Sequence, residues 1–259
     1  MRVDYIEQGD CLKLMSNIPD NSVDLILCDL PYGKTRNSWD RVIPFKQLWE
    51  HYCRIIKERG CIALFCDGLF MIDLIASNKK MWRYNIVWDK CLPSGFLNAN
   101  KMPLRSHEEI AIFYNRPPTY NPQKHRGMLN HSQGKTKKNT NNNYGEFAIV
   151  DNKDKLGELK HPRSIWRFPK PHPSTTKHPT EKPVALLECL IKTYTNEGDI
   201  VLDNCMGSGS TCVAAVKTNR HYIGFEIEDK YFEIADNRIK EAEKALTTAA
   251  KGSVKDAVS

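Results

Sequence analysis

The 259-residue chain lacks the features that mark membrane, secreted and zinc-binding proteins. No run approaches the ~18 apolar residues of a membrane span, and residues 1–4 (MRVD) do not begin the apolar core of a signal peptide. The nine cysteines are odd in number and form no Cys-x-x-Cys pair, so neither a disulfide framework nor a zinc site is expected. Together these absences predict a soluble protein of a reducing, intracellular compartment.

The composition is that of a globular protein, with 41% hydrophobic and 27% charged residues, and the length favours one α/β domain with an inserted or appended piece. The net charge of +7 is unevenly distributed. Residues 91–182 hold 16 Lys or Arg against 7 Asp or Glu, whereas the remainder holds 22 against 24. A solvated basic surface would explain this segment, but a basic insert between near-neutral halves favours a nucleic-acid-binding element.

Strand and helix patterns alternate at both ends of the chain, which predicts a parallel sheet with helices on both faces. Strands are expected at 3–7, 23–28, 61–66, 85–88, 200–202 and 222–225, and helices at 44–57, 69–77, 211–218 and 229–248, with further helices after Gly9 and Pro183. Gly60 is expected to end the helix of 44–57. Between residues 91 and 178 only 109–114 has a strand pattern, and 135–144 (KTKKNTNNNY) is expected to be a mobile loop.

The stretch Asp29-Leu30-Pro31-Tyr32-Gly33 follows the apolar run 22–28. The Asp29 carboxylate is therefore expected at the carboxyl end of a buried parallel strand, where open α/β sheets bind their ligands. Pro31 stops both strand and helix and Gly33 permits a turn, so a carboxylate, a carbonyl and an aromatic ring are held close together. Such a trio suits a flat, amino-bearing ligand, although an ordinary strand-to-turn junction would explain the same five residues.

A second strand leads into the glycine-rich loop 203–211 (DNCMGSGST). Gly207 and Gly209 let the backbone approach a ligand closely, and the helix that follows offers unpaired N–H groups. Glu226 ends the next strand, 23 residues after Asp203, where Rossmann-like folds place the acid that binds ribose hydroxyls. The loop lacks the full Gly-x-Gly-x-x-Gly spacing, so an adenosine-bearing cofactor is expected rather than a dinucleotide; a plain turn and helix cap is the alternative.

The segment 178–183 (HPTEKP) precedes the helix before that strand, and Thr180 and Pro183 would suit its N-cap and first turn. The order of motifs in this chain resembles that of the β-class amino-methylating DNA methyltransferases, which modify adenine N6 or cytosine N4. The motifs are, in chain order, Asp-x-Pro-Tyr, the basic insert, His-Pro-Thr-x-Lys-Pro and Leu-Asp-x-x-x-Gly-Ser-Gly-Ser-Thr. The similarity extends to about residue 245, includes Trp39-Asp40, 105–109 (RSHEE) and 120–123 (YNPQ), and is greatest to compact bacterial and phage members.

The resemblance implies a Rossmann-like, S-adenosylmethionine-dependent methyltransferase fold with a mixed, mostly parallel sheet, helices on both faces and a circularly permuted motif order. It divides the chain into a catalytic half (1–90), an inserted target-recognition region (91–178), a cofactor-binding half (179–250) and a disordered tail (251–259). The implied setting is the cytoplasm of a bacterial cell, with a bacterial or phage gene. Double-stranded DNA is the implied partner; a homodimer and a cognate restriction enzyme stay open, and no membrane is expected.

By the same resemblance, catalysis is assigned to Asp29, Leu30, Pro31 and Tyr32. The Asp29 carboxylate and the Leu30 carbonyl would accept the two N–H bonds of an adenine amino group, and Tyr32 would stack on a base flipped out of the duplex. S-adenosylmethionine supplies the electrophile, so no metal is needed.

The resemblance implies the residues that bind the cofactor, and the basic charge of the insert indicates those that contact DNA. Glu226 is assigned to the cofactor ribose, Asp10 to its adenine amino group, and the loop 203–211 with the 178–182 segment to its methionine part. The full cofactor set is Asp10, Cys11, Asp29, His178, Thr180, Lys182, Asp203, Cys205, Gly207, Ser208, Gly209, Ser210, Thr211, Glu226 and Ile227. DNA contacts are expected from Arg105, Lys124, Arg126, Lys135, Lys137 and Lys138.

Leu30 departs from the usual Asp-Pro-Pro-Tyr, but its carbonyl is retained, so activity is expected. Asp29 rather than Ser favours adenine N6; cytosine N4 is the second hypothesis and an RNA substrate the third. No Pro-Cys pair is present, which argues against transfer to cytosine C5. A catalytically silent DNA-binding module is the alternative of another class, and the intact Asp29, Pro31 and Tyr32 argue against it.

Overall fold

The computed structural model describes residues 1–34, 40–127, 159–171 and 181–256, with side chains up to 248. Contacts divide the chain into two compact units, Met1–Asn121 with Ser164–Ser259, and Pro122–Arg163. The strands are β1 Tyr5–Gln8, β2 Val23–Cys28, β3 Ile56–Cys66, β4 Trp82–Ser94, β5 Arg105–Phe113, β6 His125–Arg126, β7 Leu159–Lys160, β8 Ile165–Arg167, β9 Ile200–Asp203 and β10 His221–Glu226. The helices are α1 Cys11–Met15, α2 Phe45–Ile55, α3 Gly68–Ser77, α4 Val184–Tyr194, α5 Ser210–Lys217 and α6 Asp229–Asp256.

The larger unit contains an eight-stranded sheet of order β1-β10-β9-β2-β3-β5-β4-β8. All neighbouring strands are parallel except β5, which runs antiparallel to both β3 and β4. The predicted mixed, mostly parallel α/β fold is confirmed. Because β1, β10, β9 and β2 are parallel neighbours, the residues that follow their carboxyl ends share one edge of the sheet.

Alternating side chains of the central strands pack against two separate layers of helices. Leu25 and Leu27 of β2 lie in a core with residues of α4, α5 and α6, whereas Ile26 and Cys28 lie in a core with residues of α1, α2 and α3. Strands buried on both faces have continuous apolar sequences. The period-2 alternation of side chains along such strands therefore fixes which helix layer each residue meets.

Gly60 lies inside β3, so the expectation that it ends a helix is wrong; α2 ends at Ile55 and β3 begins at the next residue. A Cβ at Gly60 would lie 2.7 Å from Ile56 Cδ1 and 3.0 Å from the Asp24 carbonyl oxygen. The β2–β3 pairing shifts its register between Val23 and Leu25. Glycine is therefore required here for close approach of two strands rather than for a helix stop.

The middle of the chain contains more regular structure than its sequence predicted. β4 continues to Ser94, β5 begins at Arg105 rather than near 109, and β8 joins the main sheet beside β4. Within the smaller unit, β6 and β7 pair antiparallel, with His125 opposite Lys160. Only residues 122–163 of the expected 91–178 insert form a separate compact unit.

The C-terminal helix α6 extends to Asp256, whereas the sequence predicted an irregular tail from residue 251. None of the helices in the described ranges combines the length and the apolarity that crossing a membrane requires.

Gly224→Ala should destabilise the fold, because a Cβ at this position of β10 would lie 2.5 Å from Met206 Sδ and 2.8 Å from Cys212 Sγ. Overpacking of this kind lowers the free energy of unfolding by about 1–3 kcal/mol. Urea denaturation of the parent and the variant measures the difference. Leu69→Ala, at an exposed position of α3, is the matched control and should change stability by less than about 0.5 kcal/mol. Equal effects of the two substitutions would contradict the close packing of β10 on Met206 of the glycine-rich loop and on Cys212 of α5.

Candidate active site

The four parallel strands bring four carboxylates to one edge of the sheet. Asp10 follows β1, Asp29 follows β2, Asp203 ends β9 and Glu226 ends β10. All four line a single cavity of about 590 Å³, which is within the range of sites that bind small molecules and cofactors. The expected meeting of these strand ends is therefore observed.

The glycine-rich loop connects β9 to α5 and is held by α6. Gly209 is the N-cap of α5 at φ +78°, and a Cβ there would lie 2.9 Å from Ala235 Cβ, so only glycine fits. Arg238 of α6 donates to the Ser208 carbonyl at 2.7 Å and pairs with Glu181 at 2.8 Å. Sequence reasoning missed Arg238, because a lone arginine on a long helix carries no local signal.

Backbone donors fix the Glu226 carboxylate. The N–H of Gly207 donates to Oε2 at 2.8 Å, and the N–H groups of Ile227 and Glu228 donate to Oε1 at 2.9 Å. Burial raises the pKa of Glu226, and the three N–H donors oppose that rise. The glycine-rich loop and this acid are thus joined before any ligand binds.

Asp203 is the most deeply buried of the four acids. Burial raises its pKa to about 6, while the Thr211 hydroxyl and the Cys205 N–H, the latter at 3.1 Å, oppose the rise. The neighbouring Asn204 accepts a hydrogen bond from the buried Tyr52 hydroxyl at 2.5 Å. Asp10 caps α1 by accepting from the Leu12 N–H at 2.8 Å.

Both oxygens of the Asp29 carboxylate accept hydrogen bonds. Oδ2 lies 2.8 Å from Lys182 Nζ, and Oδ1 accepts from the Tyr32 hydroxyl at 3.0 Å. Burial raises the pKa of Tyr32, so its hydroxyl stays protonated and available as a donor. The Tyr32 ring stacks on Phe70, with centroids 4.6 Å apart and an interplanar angle of 25°. Leu30 is buried in the core against α1–α3.

Asp29 belongs to a set of four charged residues, two buried lysines and two half-buried carboxylates, which we call the charge quartet: Lys90, Glu108, Lys182 and Asp29. Lys182 Nζ lies 3.1 Å from Glu108 Oε2, and Lys90 Nζ lies 3.4 Å from Glu108 Oε1. Burial raises the pKa of Asp29, opposed by Lys182. Burial opposes ionisation of Glu108 and Lys182 as well, but their partners prevail, so the pKa of Glu108 is lowered and that of Lys182 is raised.

The N6/N4 methyltransferase family, whose members are DNA methylases, matches residues 23–237. The chain belongs to this family. The Type II methyltransferase M.HpaI of Haemophilus parainfluenzae is 28% identical over 253 residues, which are 89% of this chain and 72% of that protein. The resemblance inferred from the motifs is thereby confirmed.

Solved structures share the fold of this DNA methylase. The M1.HpyAVI–SAM complex has a TM-score of 0.62 at 24% identity, covering 90% of this chain and 98% of its own. The cytosine-N4-specific PvuII DNA methyltransferase has a TM-score of 0.65 at 14% identity, covering 94% and 92%.

Most of the predicted site residues of the methylase line the cavity: Asp10, Cys11, Asp29, Leu30, Pro31, Tyr32, Arg105, Lys182, Asp203, Cys205, Gly207, Ser208, Ser210, Thr211, Glu226 and Ile227. Gly209 packs against α6 instead. Lys124 and Arg126 belong to the smaller unit. His178, Thr180, Lys135, Lys137 and Lys138 lie outside the described residues. The sequence placed Glu108 in a family motif but assigned it no role, and it gave no signal for Lys90. Both residues nevertheless lie at the edge of the sheet where the parallel strands end.

Asp203→Asn should stabilise the cofactor-free methylase more at pH 8 than at pH 5. The folded-state pKa of Asp203, about 6, exceeds the unfolded value near 3.9, so the folded state binds the proton more tightly and stability is lost as pH rises between these values. The difference in unfolding free energy, variant minus parent, should therefore rise by about 1 kcal/mol from pH 5 to pH 8. Asp236→Asn on α6 is the control; a pH-independent difference for Asp203→Asn would contradict the assignment.

Proposed function

We propose that this DNA methylase transfers a methyl group from S-adenosylmethionine to the exocyclic N6 amino group of a flipped-out adenine in double-stranded DNA. The observation that carries the proposal is one cavity lined both by Asp29, Leu30 and Tyr32 and by the glycine-rich loop with Glu226. An amino-binding carboxylate and a nucleoside-binding acid in one cavity match a transfer between two bound molecules.

The residues of the cavity fit S-adenosylmethionine. Its ribose hydroxyls would donate to the fixed carboxylate of Glu226, its adenine amino group would donate to Asp10, and its methionine part would contact the loop of 203–211. The cavity's acidic side chains suit a cationic cofactor. When bound, this group supplies a methyl carbon made electrophilic by positive sulfur. M1.HpyAVI, which shares the fold, was solved as a SAM complex.

The acceptor half of the cavity supplies hydrogen-bond acceptors and a stacking surface. The adenine lone pair is delocalised into the ring, so an amino group whose two N–H bonds point at Asp29 and the Leu30 carbonyl presents more of that lone pair to the methyl carbon. Tyr32, backed by Phe70 at 4.6 Å, would stack on the base. These residues position the reactants rather than form a covalent intermediate.

DNA binding is proposed for the basic middle of the chain, residues 91–178. Arg105 lines the cavity, pairs with Asp67 at 2.9 Å and is largely exposed, which suits a phosphate contact beside the flipped base. Lys124 and Arg126 stay proposed contacts, as do Lys135, Lys137 and Lys138. The relative M.HpaI is a Type II methyltransferase, which supports a cognate restriction enzyme as a partner; a homodimer is a further proposal.

Cytosine N4 is the second candidate acceptor. It is favoured by the likeness to the cytosine-N4-specific PvuII enzyme, and an exocyclic amino group of cytosine presents the same two N–H bonds. Mass analysis of nucleosides from DNA methylated by the protein separates the two candidates. N6-methyladenine would support the proposal, and N4-methylcytosine would refute it in favour of cytosine-N4 transfer.

Asp29→Ala should lower the single-turnover rate of DNA methylation by more than about tenfold, because the carboxylate is proposed to bind the acceptor amino group. Affinity for S-adenosylmethionine should change by less than about threefold, as measured by calorimetry. Asp236→Ala, which removes an acid from the outer helix α6, should leave both quantities unchanged. A rate for Asp29→Ala within tenfold of the parent would refute the assigned role.

Glu226→Ala should weaken S-adenosylmethionine binding by about 1.5–3 kcal/mol, the typical worth of a hydrogen bond to a charged group. Calorimetric titration of the cofactor in the absence of DNA measures this directly. Glu233→Ala, at an exposed position of α6, serves as the control for loss of a negative charge. Unchanged affinity in Glu226→Ala would show that the ribose lies elsewhere.

A further inference from the structure

The charge quartet lies beside the acceptor half of the cavity, with its ammonium groups buried and its carboxylates half-buried. About 10% of the Lys182 side chain is exposed, 5% of Lys90, 18% of Glu108 and 22% of Asp29. Its two ammonium groups balance its two carboxylates, as burial of charge requires. Four charged residues are more than one catalytic carboxylate needs for neutrality, so the additional pair calls for an explanation.

Lys182 already donates to the carboxylate that the proposed reaction needs as an acceptor. Its ammonium lies 2.8 Å from Oδ2, while the Tyr32 hydroxyl already holds Oδ1. A charged donor forms a stronger hydrogen bond to a carboxylate than a neutral amino group does. An entering adenine would therefore share Asp29 with a stronger donor, which makes the carboxylate a weaker acceptor for the amino group.

Glu108 gives the ammonium a second place to bind. Its Oε2 lies 3.1 Å from Lys182 Nζ, and the rings of Phe65 and Trp88 face the same nitrogen at 4.9 and 5.9 Å. Aromatic faces stabilise a cation that has lost its water. Lys182 can therefore shift toward Glu108 without becoming an unpaired buried charge, which would be costly.

We propose that Glu108 is a positioning residue for methyl transfer, which draws Lys182 away from Asp29 so that Asp29 accepts an N–H bond from the target amino group. This role rests on the proposed function. It assigns Lys182 to the acceptor side of the cavity, in addition to the cofactor side that the sequence suggested.

The test is a double-mutant cycle of Glu108→Gln and Lys182→Met. The single-turnover rate of DNA methylation is measured for the parent, the two single variants and the double variant from pH 5 to pH 9. Glu108→Gln should lower the rate at pH 8 by about tenfold or more, because Lys182 then remains on Asp29. The double variant should be faster than Glu108→Gln alone, since the competing cation is gone. Additive losses would overturn the role.

The pH profiles provide a readout that a merely structural role would not change. Asp29 faces Lys182, Glu108 and Tyr32, and its charge contributes to raising the pKa of the Cys28 and Cys66 thiols and of the Asp203 carboxyl. Glu108 raises the pKa of Asp29 and Lys182 lowers it. The acid limb of the profile should therefore move to lower pH in Glu108→Gln and to higher pH in Lys182→Met; limbs that do not move apart would also overturn the role.

Glu109→Gln is the matched control, because it makes the same change one position along β5, where the side chain accepts from Asn85 Nδ2 at 2.5 Å instead of facing Lys182. Its rate and acid limb should equal those of the parent. If Glu108→Gln does not fold, Glu108→Asp and Lys182→Met are used instead. The acid limb of the rate profile should then lie at the same pH in Glu108→Asp as in the parent, and at higher pH in Lys182→Met. A parent that methylates no DNA would refute the proposed function instead, whereas a methylating parent with additive variants refutes only the role of Glu108.

Discussion

A carboxylate half-buried at the end of a parallel strand has to be neutralised, and the proposed function requires that it can still accept a new hydrogen bond. Asp29 is placed to satisfy both requirements, because its cationic partner Lys182 is itself shared with a second carboxylate, Glu108, at 3.1 Å. A permanent one-to-one ion pair would satisfy the electrostatics of burial but would weaken the carboxylate as an acceptor for an amino group. The antiparallel strand β5 makes the sharing possible, since it begins at the edge where the parallel strands end and so brings Glu108 to that edge.

The cofactor side of the cavity follows a different physical rule, in which backbone geometry does most of the positioning. Gly209 permits close packing on α6, and the Gly207 N–H bonds directly to Glu226. Gly224 leaves room for Met206 and Cys212 behind the same loop. Small residues therefore set the shape of one half of the site, whereas charge balance sets the other half.

Much of this site could be predicted from the sequence, because its residues directly follow apolar strands. Asp29, Asp203 and Glu226 each end or follow a short buried run, and parallel strand ends necessarily meet at one edge. The partnership of Glu108 with Lys182 could not be predicted in the same way, since the two residues are 74 positions apart and Glu108 reaches this edge on the antiparallel strand β5. Gly60 was misread for a related reason: it allows close approach to the Asp24 carbonyl of β2 and to the Ile56 side chain of its own strand, which local helix-stop rules do not include.

The order of motifs along the chain matters less than the place of β2 in the sheet. β2 pairs with β9 on one side and β3 on the other, so the Asp29–Gly33 stretch after β2 adjoins the glycine-rich loop after β9 although Asp29 and Asp203 are 174 positions apart in the chain. In the proposed function, Asp29 and the Leu30 carbonyl meet only the exocyclic amino group, which adenine and cytosine share. On that proposal, discrimination between the two bases comes from the surfaces that meet the rest of the ring, among them Tyr32, whose ring stacks on Phe70 at 4.6 Å.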